Sequence, residues 1–207
     1  MGKFVIFCAA EFDELLEPLG SGDYLLAADG GLRHLEKLNL KPHGILGDFD
    51  SLGYVPEGAV VYPVEKDDTD SILAIKKGIE MGCNTFYLYG ALEGKRLDHT
   101  MANFQALQYL AQQGLRGWLV GNRQIATVIC NSAVTFPPCC IQYLSVFCMG
   151  KDAQGVSIRG MQYNMENKTL SSGFPLGVSN QFVQKKATVE VKDGSLLLMW
   201  HRKNGIH

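Results

Sequence analysis

The chain lacks an excess of charge of either sign. Lys and Arg number 19 against 21 Asp and Glu, for a net charge of -2. No overall basic field exists to attract nucleic acid, so any bound anion must be held by a local site. Long apolar runs are missing too. None reaches the length that crosses a bilayer, and a membrane partner is not expected. The apolar start, residues 4–10, is too short for a signal peptide and runs into Glu11, Asp13 and Glu14; it reads as a first strand. Ile6 stands where myristoylation requires Ser or Thr. The six cysteines (Cys8, Cys83, Cys130, Cys139, Cys140 and Cys148) contain no C-x-x-C pair and no matching His-x₃₋₅-His. That spacing argues against a zinc site and suits reduced, mostly buried thiols in a cytoplasmic protein. The familiar nucleotide signatures are absent as well. There is no G-x-G-x-x-G. Gly90 to Lys95 falls one residue short of a P-loop, and Arg96 stands where that motif requires Ser or Thr.

What is present is enough to fold. Of the 207 residues, 46% are hydrophobic and 19% charged, and a chain of this length buries a core without staples. Strand-like runs cover residues 3–9, 24–28, 44–46, 60–64, 85–89 and 118–120. Helical patterns lie between them: Leu32, Leu35 and Leu38 before Pro42; Ile72, Ile75 and Ile79, capped by Asp68 or Thr69 and stopped by Gly82; and Met101, Phe104, Leu107 and Ala111 inward, stopped by Gly114. Strand alternating with helix predicts a mostly parallel, Rossmann-like α/β layer over residues 1–130. After Pro137-Pro138 the helical pattern ends. Runs at 140–149, 155–158, 187–192 and 195–200 predict a small antiparallel β-sandwich over residues 131–207. Asp193-Gly194 reads as a two-residue hairpin joining the last two strands. The tail from His201 carries no pattern.

The chemistry is expected at the ends of the parallel strands, where open α/β sheets bind ligands. Asp48 and Asp50 flank Phe49 directly after a buried strand. In extended chain, residues two apart share a face, so both carboxylates leave together. Two like charges on one face call for a hard cation, and Mg²⁺ takes carboxylates together with phosphate oxygens. Asp29, Asp68, Asp70 and Asp98 fall at similar junctions, where a helix cap is the alternative role. Gly30 and Gly31 open a helix and offer backbone N–H groups to an anion. Arg96 presents a planar fork suited to phosphate. His99 is read as a structural hydrogen-bonder, and His34 and His43 as surface or cap residues.

Taken together, Ala28-Asp29-Gly30-Gly31, Gly47-Asp48-Phe49-Asp50-Ser51, Lys66-Asp67-Asp68-Thr69-Asp70, Arg96-Leu97-Asp98-His99 with Asn103, and Gly177-Val178-Ser179-Asn180-Gln181-Phe182 resemble the bacterial thiamine pyrophosphokinase (thiamine diphosphokinase) family, over nearly the whole chain and in the family's order. The resemblance implies an α/β catalytic domain, a β-sandwich domain, and a homodimer binding thiamine where two subunits meet. It implies transfer of the diphosphate of Mg-ATP to thiamine, with release of AMP. On this resemblance Asp48, Asp50 and Asp70 hold Mg²⁺. Arg96 grips phosphate, and Asp98 orients Arg96 or the incoming hydroxyl. Asp29, Gly30, Gly31, Asp68, Thr69, His99 and Asn103 line the nucleotide. Ser179 and Asn180 bond the aminopyrimidine of thiamine, and Phe182 packs on a ring. Glu93, Lys95 and Gln181 depart from the family pattern. Two other readings remain open. One is a DxD-type phosphohydrolase or nucleotide transferase, the other a nucleotide- or thiamine-binding regulator without turnover.

Overall fold

The computed structural model describes residues 2–50, 52–63, 67–138 and 143–201. Ser51, Val64, Lys66, Cys139, Cys140 and the tail beyond His201, all singled out in the sequence, lie outside the described residues. Two compact units form: Met1–Ala106 with Leu115–Asn122, and Leu107–Gly114 with Arg123–His207.

The first unit carries β1 (Phe4–Phe7), β2 (Tyr24–Ala28), α1 (Leu32–Lys37), β3 (Gly44–Gly47), β4 (Val60–Val61), α2 (Asp70–Glu80), β5 (Thr85–Tyr89), the start of α3 (Leu97–Gln112) and β6 (Arg116–Val120). Its strands lie in the order β4-β3-β2-β1-β5-β6, and every neighbouring pair is parallel. Parallel strands need crossovers, and the apolar stripes on the helices supply the cover. The Phe4–Phe7 strand is buried at every position, as a strand covered on both faces must be. Val5, Phe7, Ala27, Tyr87 and Tyr89 pack on one face with Leu32 and Leu35 of α1. On the other face Gly78 of α2 lies so close to the Phe4 and Phe86 rings that a Cβ there would come within 2.8 Å of both. The loop after β1 is pinned to the sheet by hydroxyls: Tyr87 donates to Glu17 at 2.9 Å, and Tyr89 accepts from the Leu16 N–H at 3.0 Å.

Two local expectations need correction here. The apolar pattern places Met101 inward, yet it is 54% exposed while Phe104 and Leu107 are buried. The helix begins one residue earlier than its apolar pattern suggests, and its first turn stands clear of the core. His34 is no surface residue. It is buried, its Nε2 lies 2.9 Å from the Ala10 carbonyl, and its ring packs on Phe12. His43 does serve as a cap of sorts: its Nδ1 accepts the Leu25 N–H.

The second unit contains β7 (Gln124–Cys130), β8 (Ala133–Phe136), β9 (Tyr143–Arg159), β10 (Met165–Leu170), β11 (Gly177–Gln181), β12 (Ala187–Glu190) and β13 (Asp193–His201). The long β9 serves two layers. Its first half pairs with β13 and β11, and its second half with β12 and β10. The two runs seen in sequence are thus one strand, bent where Gly150 and Gly155 adopt positive φ and the register slips between Met149 and Gln154. The expected Asp193-Gly194 hairpin does not form. Strand β12 pairs with β8 and β9, whereas β13 pairs with β7 and β9. The reason is burial: Ala187, Val189 and Val191 share one core with Leu196 and Leu198, so the two strands face each other across it instead of lying side by side. The result is the β-sandwich expected after an α/β layer. No helix among the described residues is long and apolar enough to cross a membrane.

Candidate active site

The carboxyl ends of β2 and β3 gather three acids. Asp29, Asp48 and Asp50 each place a carboxylate oxygen within 4.8 Å of the others. At that separation each pair repels by between ~1 kcal/mol in water and ~4 kcal/mol at a protein-surface dielectric. The backbone that enforces this crowding is itself unusual. Asp29 has φ of 48° and Phe49 has φ of 60°. A bulky aromatic residue in the left-handed region carries a cost of about 1–3 kcal/mol, and such strain concentrates at functional sites. Phe49 is only 2% exposed, so its buried ring offsets that cost.

Asp48 and Asp50 therefore do not share a face by strand alternation, as extended chain would have it. The chain does not run straight through Phe49. It turns: the Asp50 N–H donates to Asp48 Oδ1 at 3.2 Å, and the Phe49 carbonyl accepts the Leu52 and Gly53 N–H groups. A tight turn, not strand alternation, brings the two carboxylates together. Asp29 reaches them because Gly47 has no side chain between β3 and the Asp29 backbone.

A cluster of three hard oxygen donors matches the donor preference of Mg²⁺. Asp70, named with Asp48 and Asp50 in the sequence, is not in this group of three. It opens α2 and acts electrostatically on the neighbourhood. Burial above all, with the charges of Asp70 and Asp29, pushes the Cys8 thiol up to about 12. Cys8, at the end of β1, therefore stays a neutral thiol beside the acids; nothing in its sequence context marked it.

Arg96 and Asp98 form a two-pronged pair, with Arg96 Nη2 at 2.6 Å and Nε at 3.4 Å from the carboxylate. The hydrogen bonds that Arg96 donates to Asp98 raise the guanidinium above its ordinary value, and the negative charges of Asp98 and Asp50 add to this. The arginine thus sits in the field of the acid cluster while Asp98 fixes its orientation. Asp98 is held below the usual carboxylate range, chiefly by Arg96, with the His99 N–H contributing. His99 itself is exposed in the first turn of α3.

Other sequence candidates have structural occupations. Asp68 is engaged by Lys76 at 2.6 Å. Thr69 is the N-cap of α2, its Oγ1 accepting the Ile72 N–H at 3.4 Å. Gly30 and Gly31 are buried, and a Cβ on Gly31 would fall 1.8 Å from the Phe7 carbonyl oxygen; close packing under β1 requires glycine there. Asn103 is 7% exposed, and its amide is spent inside the protein on Ser71 and Ala91. Glu93, at φ of 62°, accepts the Asn122 N–H at 2.9 Å and so pins the loop that carries Arg96.

In the second unit, Ser179 is exposed on β11 and borders a hollow of ≈ 170 Å³ with Tyr143, Ser145, Phe147 and Trp200. Asn180 is buried. Its Oδ1 accepts the Tyr163 N–H at 3.0 Å and its Nδ2 donates to the Tyr163 carbonyl at 2.6 Å. Phe182 is a core residue, edge-on to Phe136 at 5.4 Å. Of the three residues expected to meet thiamine, the side chain of Ser179 alone faces outward.

A parallel α/β layer with acids gathered at its carboxyl edge, followed by a β-sandwich, suits a two-domain enzyme that handles phosphates with a cation. Comparison with known proteins narrows the class. Residues 17–119 match the model described as "Thiamin pyrophosphokinase, catalytic domain", and residues 132–196 match "Thiamin pyrophosphokinase, vitamin B1 binding domain". The chain belongs to the thiamine pyrophosphokinase family. It is 24% identical over 190 residues to the thiamine pyrophosphokinase of Bacillus subtilis strain 168, covering 84% of this chain and 85% of that one. The fold is shared with the crystal structure of a Bacillus subtilis thiamine pyrophosphokinase, at a TM-score of 0.86 and 19% identity over 98% of this chain and 100% of the other. It is also shared with the enzyme from Candida albicans, at 0.77 and 15% identity over 98% and 89%.

Proposed function

We propose that the protein transfers the diphosphate of ATP to the hydroxyl of thiamine, giving thiamine diphosphate and AMP. One observation supports this above the rest. Both family-specific halves are present in order, and the catalytic half gathers Asp29, Asp48 and Asp50 within bonding reach of one cation. In the reaction the hydroxyl oxygen bonds to the β-phosphorus. The bond from that phosphorus to the oxygen shared with the α-phosphate breaks, AMP keeps that oxygen, and the hydroxyl proton passes to solvent or a base.

Asp29, Asp48 and Asp50 would hold Mg²⁺, with Asp70 at the margin of the group. The ion, when bound, neutralises the polyphosphate. Little covalent chemistry is asked of the protein itself; its task is alignment and charge. Arg96, steadied by Asp98, receives phosphate oxygens. Thr69 and the Gly30-Gly31 turn shape the nucleotide side, and His99 stands at its edge. Ser179 contacts thiamine, while Asn180 and Phe182 hold the strand that presents it. Residues 1–130 thus act as the catalytic domain and 131–207 as the thiamine-binding domain, in a cytoplasmic homodimer whose site is completed across the subunit interface.

Incubation with Mg-ATP and thiamine, followed by phosphorus NMR, tests the activity. AMP and thiamine diphosphate in equal amounts are expected. ADP as product, or inorganic phosphate released without thiamine, would overturn it.

A further inference from the structure

A chain of polar contacts runs from α2 to α3. Ser71 Oγ lies 2.7 Å from Asn103 Oδ1, and Asn103 Nδ2 lies 2.8 Å from the Ala91 carbonyl. Thr69 Oγ1 lies 3.3 Å from Ser71 Oγ. The protons in this chain can be assigned by counting. A backbone carbonyl can only accept, so the amino side of the Asn103 amide must face Ala91. Its oxygen then faces Ser71, and the single Ser71 hydroxyl proton must go there. That leaves Thr69 as donor to Ser71, while Thr69 Oγ1 still accepts the Ile72 N–H. Each of these contacts then has one donor and one acceptor, so the hydrogen bonds along the chain have a single direction.

Its position gives it a role. Thr69 and Ser71 flank Asp70, the first residue of α2. Ala91 begins the loop that leads through Glu93 to Arg96. Asn103 is buried on α3 between them. We infer that Asn103 and Ser71 are positioning residues: the amide locks the first turn of α2 to the β5–α3 loop and so sets Asp70 and Arg96 relative to the acid cluster. The sequence had placed Asn103 against the nucleotide. Its amide oxygen and one amino proton are engaged inside the protein, at a residue 7% exposed. The inference rests on the reading of the cluster as the Mg²⁺ and phosphate site, with Asp70 bearing on it.

The test reads metal binding directly and does not depend on turnover. Mn²⁺ is titrated into the metal-free protein, and the loss of the free-ion EPR signal gives the dissociation constant. Five variants are compared with wild type: Asp70→Asn, Ser71→Ala, Ser71→Thr, Ile75→Val and Asn103→Asp. Removing one hydrogen bond of this kind is expected to weaken Mn²⁺ binding by roughly two- to ten-fold in Ser71→Ala. Ser71→Thr, which keeps the hydroxyl, returns most of it. Ile75→Val, a loss of packing in the same helix, lowers the melting temperature without moving the Mn²⁺ constant. Asn103→Asp, which sets a carboxylate oxygen against the Ala91 carbonyl, gives a shift at least as large as Ser71→Ala. If Asp70→Asn weakens Mn²⁺ and Ser71→Ala does not, the positioning role is wrong and the metal reading stands. If Asp70→Asn changes nothing, Asp70 has no part in the metal site and the inference falls with it.

Discussion

A Cβ added to Gly47 would lie 3.0 Å from the Cα of Asp29. The absent side chain on β3 is what lets the end of β2 close over it. Gly47 also has φ of 151°, outside the range that side chains prefer. Gly47→Ala should therefore push Asp29 away from Asp48 and Asp50. We expect turnover to fall roughly ten- to hundred-fold, with a stability loss of about 1–3 kcal/mol. Steady-state rates beside denaturant unfolding check this; full activity in a folded variant would remove Asp29 from the site.

Asp50→Asn should abolish turnover and leave the protein as stable as wild type, or more so. One of three mutually repelling carboxylates is gone, which relieves its repulsion with Asp29 and Asp48. In metal-free buffer the variant's melting temperature should equal or exceed the wild-type value. Added Mg²⁺ should raise the wild-type value and barely move the variant's, because only a state that binds the ion is stabilised by it. Wild-type rates in Asp50→Asn would refute the metal assignment.

Arg96→Lys keeps the charge and loses the fork. The Asp98 carboxyl, held low chiefly by the Arg96 hydrogen bond, should titrate closer to the ordinary value in the variant. Carbon NMR of the Asp98 carboxyl against pH measures this. The rate should fall by more than the titration shift alone would suggest, because a point charge on a flexible stem aligns phosphate less well.

Asp23 supplies the pH dependence of stability. Burial works to raise its pKa, but the Gly20 and Lys3 N–H groups, each at 2.8 Å, and the Lys3 ammonium at 3.5 Å outweigh it and hold the carboxyl low. A folded-state pKa below the unfolded one means stability that is fully present above the unfolded value, near 4, and is lost as pH falls through the lowered folded value. Asp23→Asn should thus be less stable than wild type at pH 7 by about 1–3 kcal/mol. The gap should narrow once the pH drops below ~4. Unfolding curves at pH 7 and pH 3 decide it; a gap that widens on acidification would contradict the assignment.

Asn180→Ala should damage the sandwich first. It strips both hydrogen bonds from the Tyr163 backbone, 3.0 and 2.6 Å, at a site 6% exposed. The expected cost is about 1–3 kcal/mol, read from chemical denaturation. Ser179→Ala, at an exposed position, should leave stability unchanged and raise the KM for thiamine. Equal stability in the two variants would mean that Asn180 is not the brace the contacts describe.

The legible parts of this protein were those written in local patterns. The apolar runs at 24–28 and 85–89 became β2 and β5 because strands buried on both faces must be continuously apolar. Thr69 became the cap of α2 because its hydroxyl sits where a helix leaves an N–H unmet. Strands β10 and β11 escaped notice because MENKTL and GVSNQ are polar and edge-like; their pairing with β9, not their composition, makes them strands. The hairpin expected at Asp193-Gly194 failed for the same kind of reason. A turn dipeptide specifies a reversal, but which partner each strand finds afterwards depends on the core that Val189 and Leu196 share.

The sequence by itself determined the order of the two domains, the family, and the acids and the arginine that are candidates for the site. Those properties reside in residue identity and in short-range periodicity. The tertiary structure alone decided which acids meet. Asp29 and Asp50 are separated by a helix and a strand, and they come together only because parallel strands end at one edge and Gly47 admits the neighbouring backbone. It alone decided that Phe49 turns the chain by taking a left-handed conformation, and that Asn103 serves the protein's own loops. Contacts between segments distant in sequence depend on the whole packed sheet, and no local pattern encodes them.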